Sequence, residues 1–367
     1  MQEVADRVNV SISTVSFVVN NTKPVAPETR RRVLEAIEEL GYRRNAMARA
    51  LASRRSRILC LMFPLMQHDL SSFVDAATTA ADELGYNLVL WPKHNHDAAL
   101  DVTSVIEAGI ADGVLLLEVQ LDDERVTRLQ AGGAPFALIG RTRDVSGIDY
   151  VDIDFERTTR LAVEELGRRG HRHLALVLED MDGTPQAGYA PPVRVEQTFL
   201  DAVAEQDLAG HVFRVPNAES ADRPLLELLA REAPETTAIV GMHDTAIARL
   251  MTALRHRGLR VPEDLSIIAV ESTSVIAPLL DPPLTRYVAP GGELGRRAAE
   301  ALIGRLEGRT GPPTQLLVAS SLLEGATMAD APTRRAPLDR LLADRAGVLR
   351  DGAAPEHALA DRTPEHA

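Results

Sequence analysis

At 367 residues with 45% hydrophobic content, the chain has room for two or three domains of ordinary globular composition. Its formal net charge of −13 excludes a surface uniformly suited to phosphate, yet the charge is uneven: residues 1–57 hold 11 Lys and Arg against 6 Asp and Glu, and the remainder hold 29 against 47. A basic head on an acidic body is the asymmetry of a protein that meets nucleic acid at one end. The lone Cys60, inside the apolar run ILCLMF, excludes an internal disulfide framework and reads as a buried thiol. With no 18-residue apolar span and no signal-peptide pattern, a cytoplasmic protein without a membrane role is expected.

In the head, QEVADRV places Val4, Ala5 and Val8 on one face of a short helix. Asn9 follows at a turn where a left-handed backbone is plausible, and Asn tolerates that conformation. Ser11 suits the N-cap of a second helix, Ile12–Val19, whose Val15, Val18 and Val19 turn toward the first. Ser13, Thr14, Ser16 and Phe17 are left on an outer arc. A third helix opens at Pro27, carries a stripe of Val33, Ile37 and Leu40, and ends at Gly41. This is helix-turn-helix geometry, against which stands a plain three-helix bundle with no ligand. Asn45 then caps a brief helix, AMARALAS, too short to be stable alone. Its Leu51 is either a wedge for a minor groove or an incidental residue of a linker.

From Ile58 apolar runs alternate with helical stretches. RILCLMF, NLVLW, DGVLLL and FALIG are separated by helices Ser71–Leu84, near Ala98–Ala108 and near Asp122–Ala131. A second set follows, with strands HLALVL, HVFRV, AIVGM and LSIIAV among helices Glu156–Arg169, Val193–Gln206, Asp222–Arg231 and Thr245–Arg257. The fold class expected is α/β: parallel sheets in two similar subdomains with a cleft at the carboxyl ends of the strands. After Met328 the sequence turns Ala/Arg/Asp/Pro-rich, and residues 329–367 read as a mostly disordered tail with one short helix around Leu338–Leu349.

No phosphate-binding glycine loop is present; PGGELG lacks the spacing and the context. His94 and His96 read as a solvated loop rather than a metal pair, and His171 and His173 as a helix-to-strand turn. No catalytic constellation emerges, so no enzyme and no cofactor are expected. Cleft candidates come from strand ends: Trp91 after NLVL, Glu118 after DGVLLL, Arg141 after FALIG and Asp244 after AIVGM. Carboxylates, a guanidinium and an aromatic face suit a polyhydroxylated ligand, although Asp244 also fits a plain helix cap and Trp91 a core position.

Residues 2–328, and the head most specifically, resemble the LacI/GalR family of bacterial transcription regulators. The resemblance implies a major-groove helix at Ser11–Val19, with DNA contacts from Ser11, Ile12, Ser13, Thr14, Ser16, Phe17 and Asn20. It implies a hinge helix at Asn45–Ala52 that adds Asn45, Ala48 and the intercalating Leu51. The implied layout is a DNA-binding domain at 1–44, a hinge at 45–57 and an effector-binding core at 58–328. Within the core, subdomain one covers about 58–156 and 288–319 and subdomain two about 157–287 and 320–328, with chain crossings near Asp154–Thr158, Tyr287–Ala289 and Ala319–Ser321. Helix Gly291–Glu307 would pack back on the first subdomain. Arg194 and Glu271 join the cleft set as the nearest matches to the family's effector-contacting arginine and acid. Phe17 departs from an arginine common in the family, Ala26 from a serine cap, and helix one starts almost at Met1, which suggests a true start further upstream.

The expected function is a sequence-specific DNA-binding regulator, a repressor, acting as a homodimer on a pseudo-palindromic operator under control of a small, sugar-like effector. The alternatives are a solute-binding protein, which has no use for a basic head, and an enzyme, which lacks its constellation.

Overall fold

In a computed structural model the described residues are 1–20, 23–41, 55–64, 70–93, 102–181, 184, 187–216, 222–272, 276–333 and 336–343. Asn45, Ala48 and Leu51, His94 and His96, and residues 344–367 lie outside them. The chain divides into two compact units, Met1–Arg57 and Ile58–Ala367.

The first unit holds helices α1 (Gln2–Val8), α2 (Ile12–Asn20) and α3 (Pro27–Glu39). Asn9 ends α1 in the left-handed region at φ 52°, as its short polar side chain permits. Ser11 Oγ accepts from the Thr14 amide at 3.1 Å and so caps α2. Ala26 gives α3 no side-chain cap. Val4, Ala5 and Val8, Val15, Val18 and Val19, and Val33 and Ala36 form the core, all buried. One expectation needs correcting: Leu40 is the C-cap beyond the last turn of α3 and stays 44% exposed, so the inward stripe is Val33, Ala36 and Ile37.

The second unit contains two six-stranded sheets. Strands β1 (Ile58–Pro64), β2 (Asn87–Lys93), β3 (Gly113–Leu117), β4 (Phe136–Ile139), β5 (Tyr150–Ile153) and β11 (Gln315–Val318) form one, in the order β11-β5-β4-β3-β1-β2, parallel throughout. Strands β6 (His173–Asp180), β7 (Ala209–Pro216), β8 (Ala238–Met242), β9 (Ser266–Ser272), β10 (Thr285–Val288) and β12 (Ser321–Leu323) form the other, in the order β12-β10-β9-β8-β6-β7, with only β12 antiparallel. In both, the strand order reverses beside the first strand, the arrangement that opens a crevice beyond the carboxyl ends.

Because helices cover both faces, the strands are continuously apolar and their period of two divides side chains between layers. Leu59 and Leu61 enter one cluster while Cys60 and Met62 enter another, and Leu174, Leu176 and Leu178 separate likewise from Ala175 and Val177. Helices α4 (Ser71–Glu83), α5 (Ser104–Glu107), α6 (Glu124–Ala131), α7 (Phe155–Arg168), α8 (Ala190–Glu205), α9 (Asp222–Glu232), α10 (Asp244–His256) and α11 (Gly291–Leu306) supply the outer layers.

The chain passes from the first sheet to the second through α7, returns through α11, and crosses again between β11 and β12. Helix α11 packs against α4 and β3–β5. Two glycines of PGGELG serve that contact: a Cβ on Gly291 would collide with Ser72 Oγ and one on Gly295 with the Phe73 carbonyl.

Beyond Met328 the described residues are 329–333 and 336–343, and they pack on the second lobe: the Ala329 amide donates to Ser266 Oγ and the Ala331 amide to the Arg169 carbonyl, at 3.1 and 2.8 Å. A helical run at 338–343 buries Leu338 and Leu342 in the cluster between the second sheet and α9 and α10.

Candidate functional site

On the first unit, α2 presents Ser11, Ile12 and Ser13 exposed and Thr14, Ser16 and Phe17 partly exposed, while its valines face inward. Asn20 is its last residue. The outer arc read from spacing is therefore the outer arc of the helix. Ser11 Oγ also lies 2.9 Å from Thr14 Oγ1, so these hydroxyls first serve the helix start. Lys23 Nζ stands 4.9 Å from the centroid of the Phe17 ring, a cation–π contact.

On the second unit, a cleft of about 220 Å³ opens at the carboxyl ends of both sheets. Glu118 follows β3 and Arg141 follows β4; Asp152 stands on β5. From the second sheet come His243 and Asp244, where β8 turns into α10, and Glu271 on β9. Tyr189, just ahead of α8, and the apolar Phe73 and Leu294 complete the wall. Glu118 and His243 adopt φ of 57° and 68°, which non-glycine residues occupy at a cost where surrounding structure demands it.

Two clusters of ionisable side chains organise the cleft. Arg141 Nε donates to Asp152 Oδ2 at 3.0 Å and its Nη2 to both Glu156 oxygens at 2.6 Å. Burial pushes the Asp152 carboxyl up to about 6 against the pull of Arg141. For Arg141 itself, burial works against its charge, but Glu156 and Asp152 outweigh it and raise its pKa. The second group is His243, flanked by Glu179 at 4.0 Å and Glu271 at 3.4 Å. No group of three or more His, Cys, Asp or Glu is placed to hold a metal among the described residues.

The lobes are stitched along one side of the cleft. Leu121 N donates to Gly188 O at 2.8 Å, Ala190 N to Val119 O at 3.1 Å, and Gln120 Nε2 to Ala187 O at 3.1 Å. Arg194, on α8, donates from Nη2 to the carbonyls of Arg141 and Thr142 at 3.2 and 3.0 Å, and its Nη1 is 3.5 Å from Glu156. Burial first, and then the like charge of Arg141, lower its pKa.

The cleft thus brings together Glu118, Arg141, Asp244 and Glu271 from the expected set. Trp91 pairs in register with Met62 near the end of the edge strand β2 and packs on the cluster beneath α5 and α6, the core alternative read from the sequence, and is not among the described lining residues of this cavity. Arg194 also stands outside the wall because the first lobe's carbonyls hold its guanidinium. Asp152, Tyr189 and His243 escaped the sequence reading. Asp152 sits in a short strand, YVDI, that period-two alternation marks only weakly; Tyr189 precedes Ala-Pro-Pro at a helix start, and His243 adjoins the Asp244 that was singled out.

A helix-turn-helix unit followed by a two-sheet cleft unit defines a DNA-binding transcriptional regulator. Residues 1–45 match the model of bacterial regulatory proteins of the lacI family, and residues 163–328 that of the periplasmic binding protein-like domain. The HTH-type transcriptional regulator CelR of Thermobifida fusca is 30% identical over 331 residues, spanning 88% of this chain and 96% of its own length. Catabolite control protein A of Priestia megaterium is 30% identical over 307 residues, 82% of this chain and 90% of its own. A solved complex of transcriptional regulator CelR with cellobiose superposes with a TM-score of 0.65 at 25% identity, covering 89% of this chain and 98% of that one. The lac repressor dimer bound to operator and the anti-inducer ONPF shares the fold with a TM-score of 0.77 at 23% identity and the same coverage. The chain belongs to the LacI family of bacterial regulatory proteins.

Proposed function

We propose that the protein is a repressor that grips a pseudo-palindromic operator as a homodimer and changes that grip when a small carbohydrate-like effector fills the cleft. In this reading α2 lies in the major groove, residues 45–57 form the hinge with Leu51 as the minor-groove wedge, and the cytoplasm is the place of action. Subdomain one takes in residues 58–156 and 288–319, and subdomain two residues 157–287 and 320–328. One observation carries the reading: polar groups of both lobes line a single cavity, while Arg194 of the second lobe holds carbonyls of the first. Occupancy and lobe angle are then linked, and a coupling of about 1–3 kcal/mol between effector and operator makes a useful switch. Edge strand β2 exposes Val89 and Leu90, and Leu84 precedes it equally exposed, an apolar surface suited to a second copy.

The test compares the full chain with one lacking residues 1–57. Operator binding disappears from the shortened chain while effector binding persists; retained operator affinity would sink the assignment. In the full chain, the logarithm of operator affinity falls linearly with that of salt concentration, with a slope set by the phosphates neutralised.

A further inference from the structure

We propose that α2 selects its operator through thymine: Phe17 and Ile12 each pack against a thymine 5-methyl group in the major groove. This rests on the reading of the first unit as the DNA-binding head and names the base chemistry that the head recognises.

Two apolar side chains that the head does not spend on its own core carry the inference. Val15, Val18 and Val19 of α2 are buried in the cluster shared with α1 and α3, whereas Ile12 and Phe17 stand outside that cluster. Ile12 is 45% exposed and Phe17 partly exposed. Helical spacing puts Phe17 one turn beyond Ser13, on the side turned away from the three valines, and Ile12 one turn before Ser16. A singly exposed apolar residue is ordinary on a protein surface. Here both lie among the serines of the face that the head turns toward DNA.

Base edges in the major groove differ in what reads them. Guanine takes Arg or Lys, cytosine a carboxylate, adenine Asn or Gln, and thymine an apolar contact with its methyl. The stretch Ile12–Asn20 contains no Arg, Lys, Asp, Glu or Gln, and its one amide residue, Asn20, is the last. The hydroxyls of Ser13, Thr14 and Ser16 donate and accept alike, so they discriminate little between base pairs. The apolar pair does discriminate. Pressed on guanine or cytosine, a Phe ring or an Ile side chain covers polar edge atoms and leaves them without partners. Pressed on thymine, it covers a methyl and gains by burying it. Attraction to phosphate comes from elsewhere in the head, where 11 Lys and Arg stand against 6 Asp and Glu over residues 1–57. Lys23 Nζ, 4.9 Å from the centroid of the Phe17 ring, sets one of those charges beside the apolar contact.

The test uses the full chain. An operator is selected from random duplexes, and each of its thymines is replaced in turn by uracil, which keeps the base pair and removes only the methyl. At two positions of each half-site the replacement weakens wild-type binding about threefold to fivefold, the worth of one buried methyl. Phe17→Ala and Ile12→Ala, both outside the head's core and each checked for an unchanged melting temperature, lose the dependence at one of those positions. Phe17→Met, which restores an apolar contact, restores it. An operator whose affinity ignores every thymine methyl, or a methyl dependence that persists in full in either alanine variant, overturns the proposal and leaves the regulator standing. If no duplex is enriched over random DNA, the regulator reading falls and the proposal falls with it.

Discussion

Arg194 Nη2 donates to the Thr142 carbonyl at 3.0 Å, a bond from the first turns of α8 in the second lobe to the loop after β4 in the first. The same guanidinium reaches Arg141 O and Glu156, so one side chain ties the lobes and fixes the loop that carries Arg141. Replacing it with Ala removes charge-assisted bonds of about 1.5–3 kcal/mol each in a partly buried setting. Arg194→Ala is therefore expected to shift the lobe equilibrium toward open and to weaken effector binding about tenfold or more, with little effect on the head. Small-angle scattering with and without effector, beside a binding isotherm, checks this; unchanged compaction and affinity would make Arg194 a bystander.

Asp152 gives the cleft a pH dependence whose sign follows from its environment. Its folded pKa, about 6, exceeds the ordinary 3.8, so the native state holds the proton more firmly than the unfolded chain does. That contribution to stability is complete below about pH 4 and is lost as pH rises through about 6, by at most about 3 kcal/mol. Asp152→Asn cannot titrate there. The wild-type advantage over the variant, from urea melts across this range, should decline as pH rises; a flat or increasing difference would show that Arg141 dominates instead.

Much of this was legible because the local signals agree. The head follows from three valine patterns, a serine cap and an Asn turn, all realised at Val4–Val8, Ser11 and Asn9. The long apolar strands announced themselves because both faces are buried. Short strands did not: β5, β10, β11 and β12 have three or four residues each and depend on their neighbours for order. In the cleft, residues directly after strand ends were readable, since topology aims them there. Trp91 was not, because a strand-end position does not tell an edge strand from a central one. The destination of Arg194 depends on a carbonyl 52 residues away, which no local pattern encodes.

On the DNA-facing helix, Ser13 is exposed and heads no intrahelical cap, whereas Ser11 is occupied with the Thr14 amide. The two serines should therefore fail differently. Ser11→Ala costs about 1 kcal/mol of head stability and weakens all DNA alike. Ser13→Ala leaves the melting curve in place and weakens the preferred operator more than random duplex, by about 1–3 kcal/mol if its hydroxyl reads a base edge. Equal losses on operator and random DNA would assign Ser13 to the backbone.

Gly295 carries a conformational demand that composition alone conceals. Its φ is ordinary for a helix, but the Phe73 carbonyl stands where a Cβ would go, so α4 and α11 are packed backbone to backbone. Gly295→Ala forces the helices apart at an overpacking cost of about 1–3 kcal/mol. The loss should appear in denaturant melts of the second unit. Gly292, whose Cβ would meet nothing within 4 Å, serves as the control: Gly292→Ala should leave the midpoint unchanged or raise it slightly.

Leu338 decides what the polypeptide beyond residue 328 is for. It is fully buried in the outer cluster of the second lobe, and its amide donates to the Pro234 carbonyl at 2.7 Å. Loss of such a side chain costs about 2–5 kcal/mol when the site is packed and less than about 0.5 kcal/mol when the segment is a loose tail. Leu338→Ala should fall in the first range. Removing residues 329–367 should destabilise the lobe at least as much, because the bonds to Ser266 and Arg169 are lost as well. The head should still melt as before. A truncated chain with wild-type stability would return the whole segment to the status of a tail, and an intact effector affinity alongside a lowered midpoint would confine its role to holding the second lobe together.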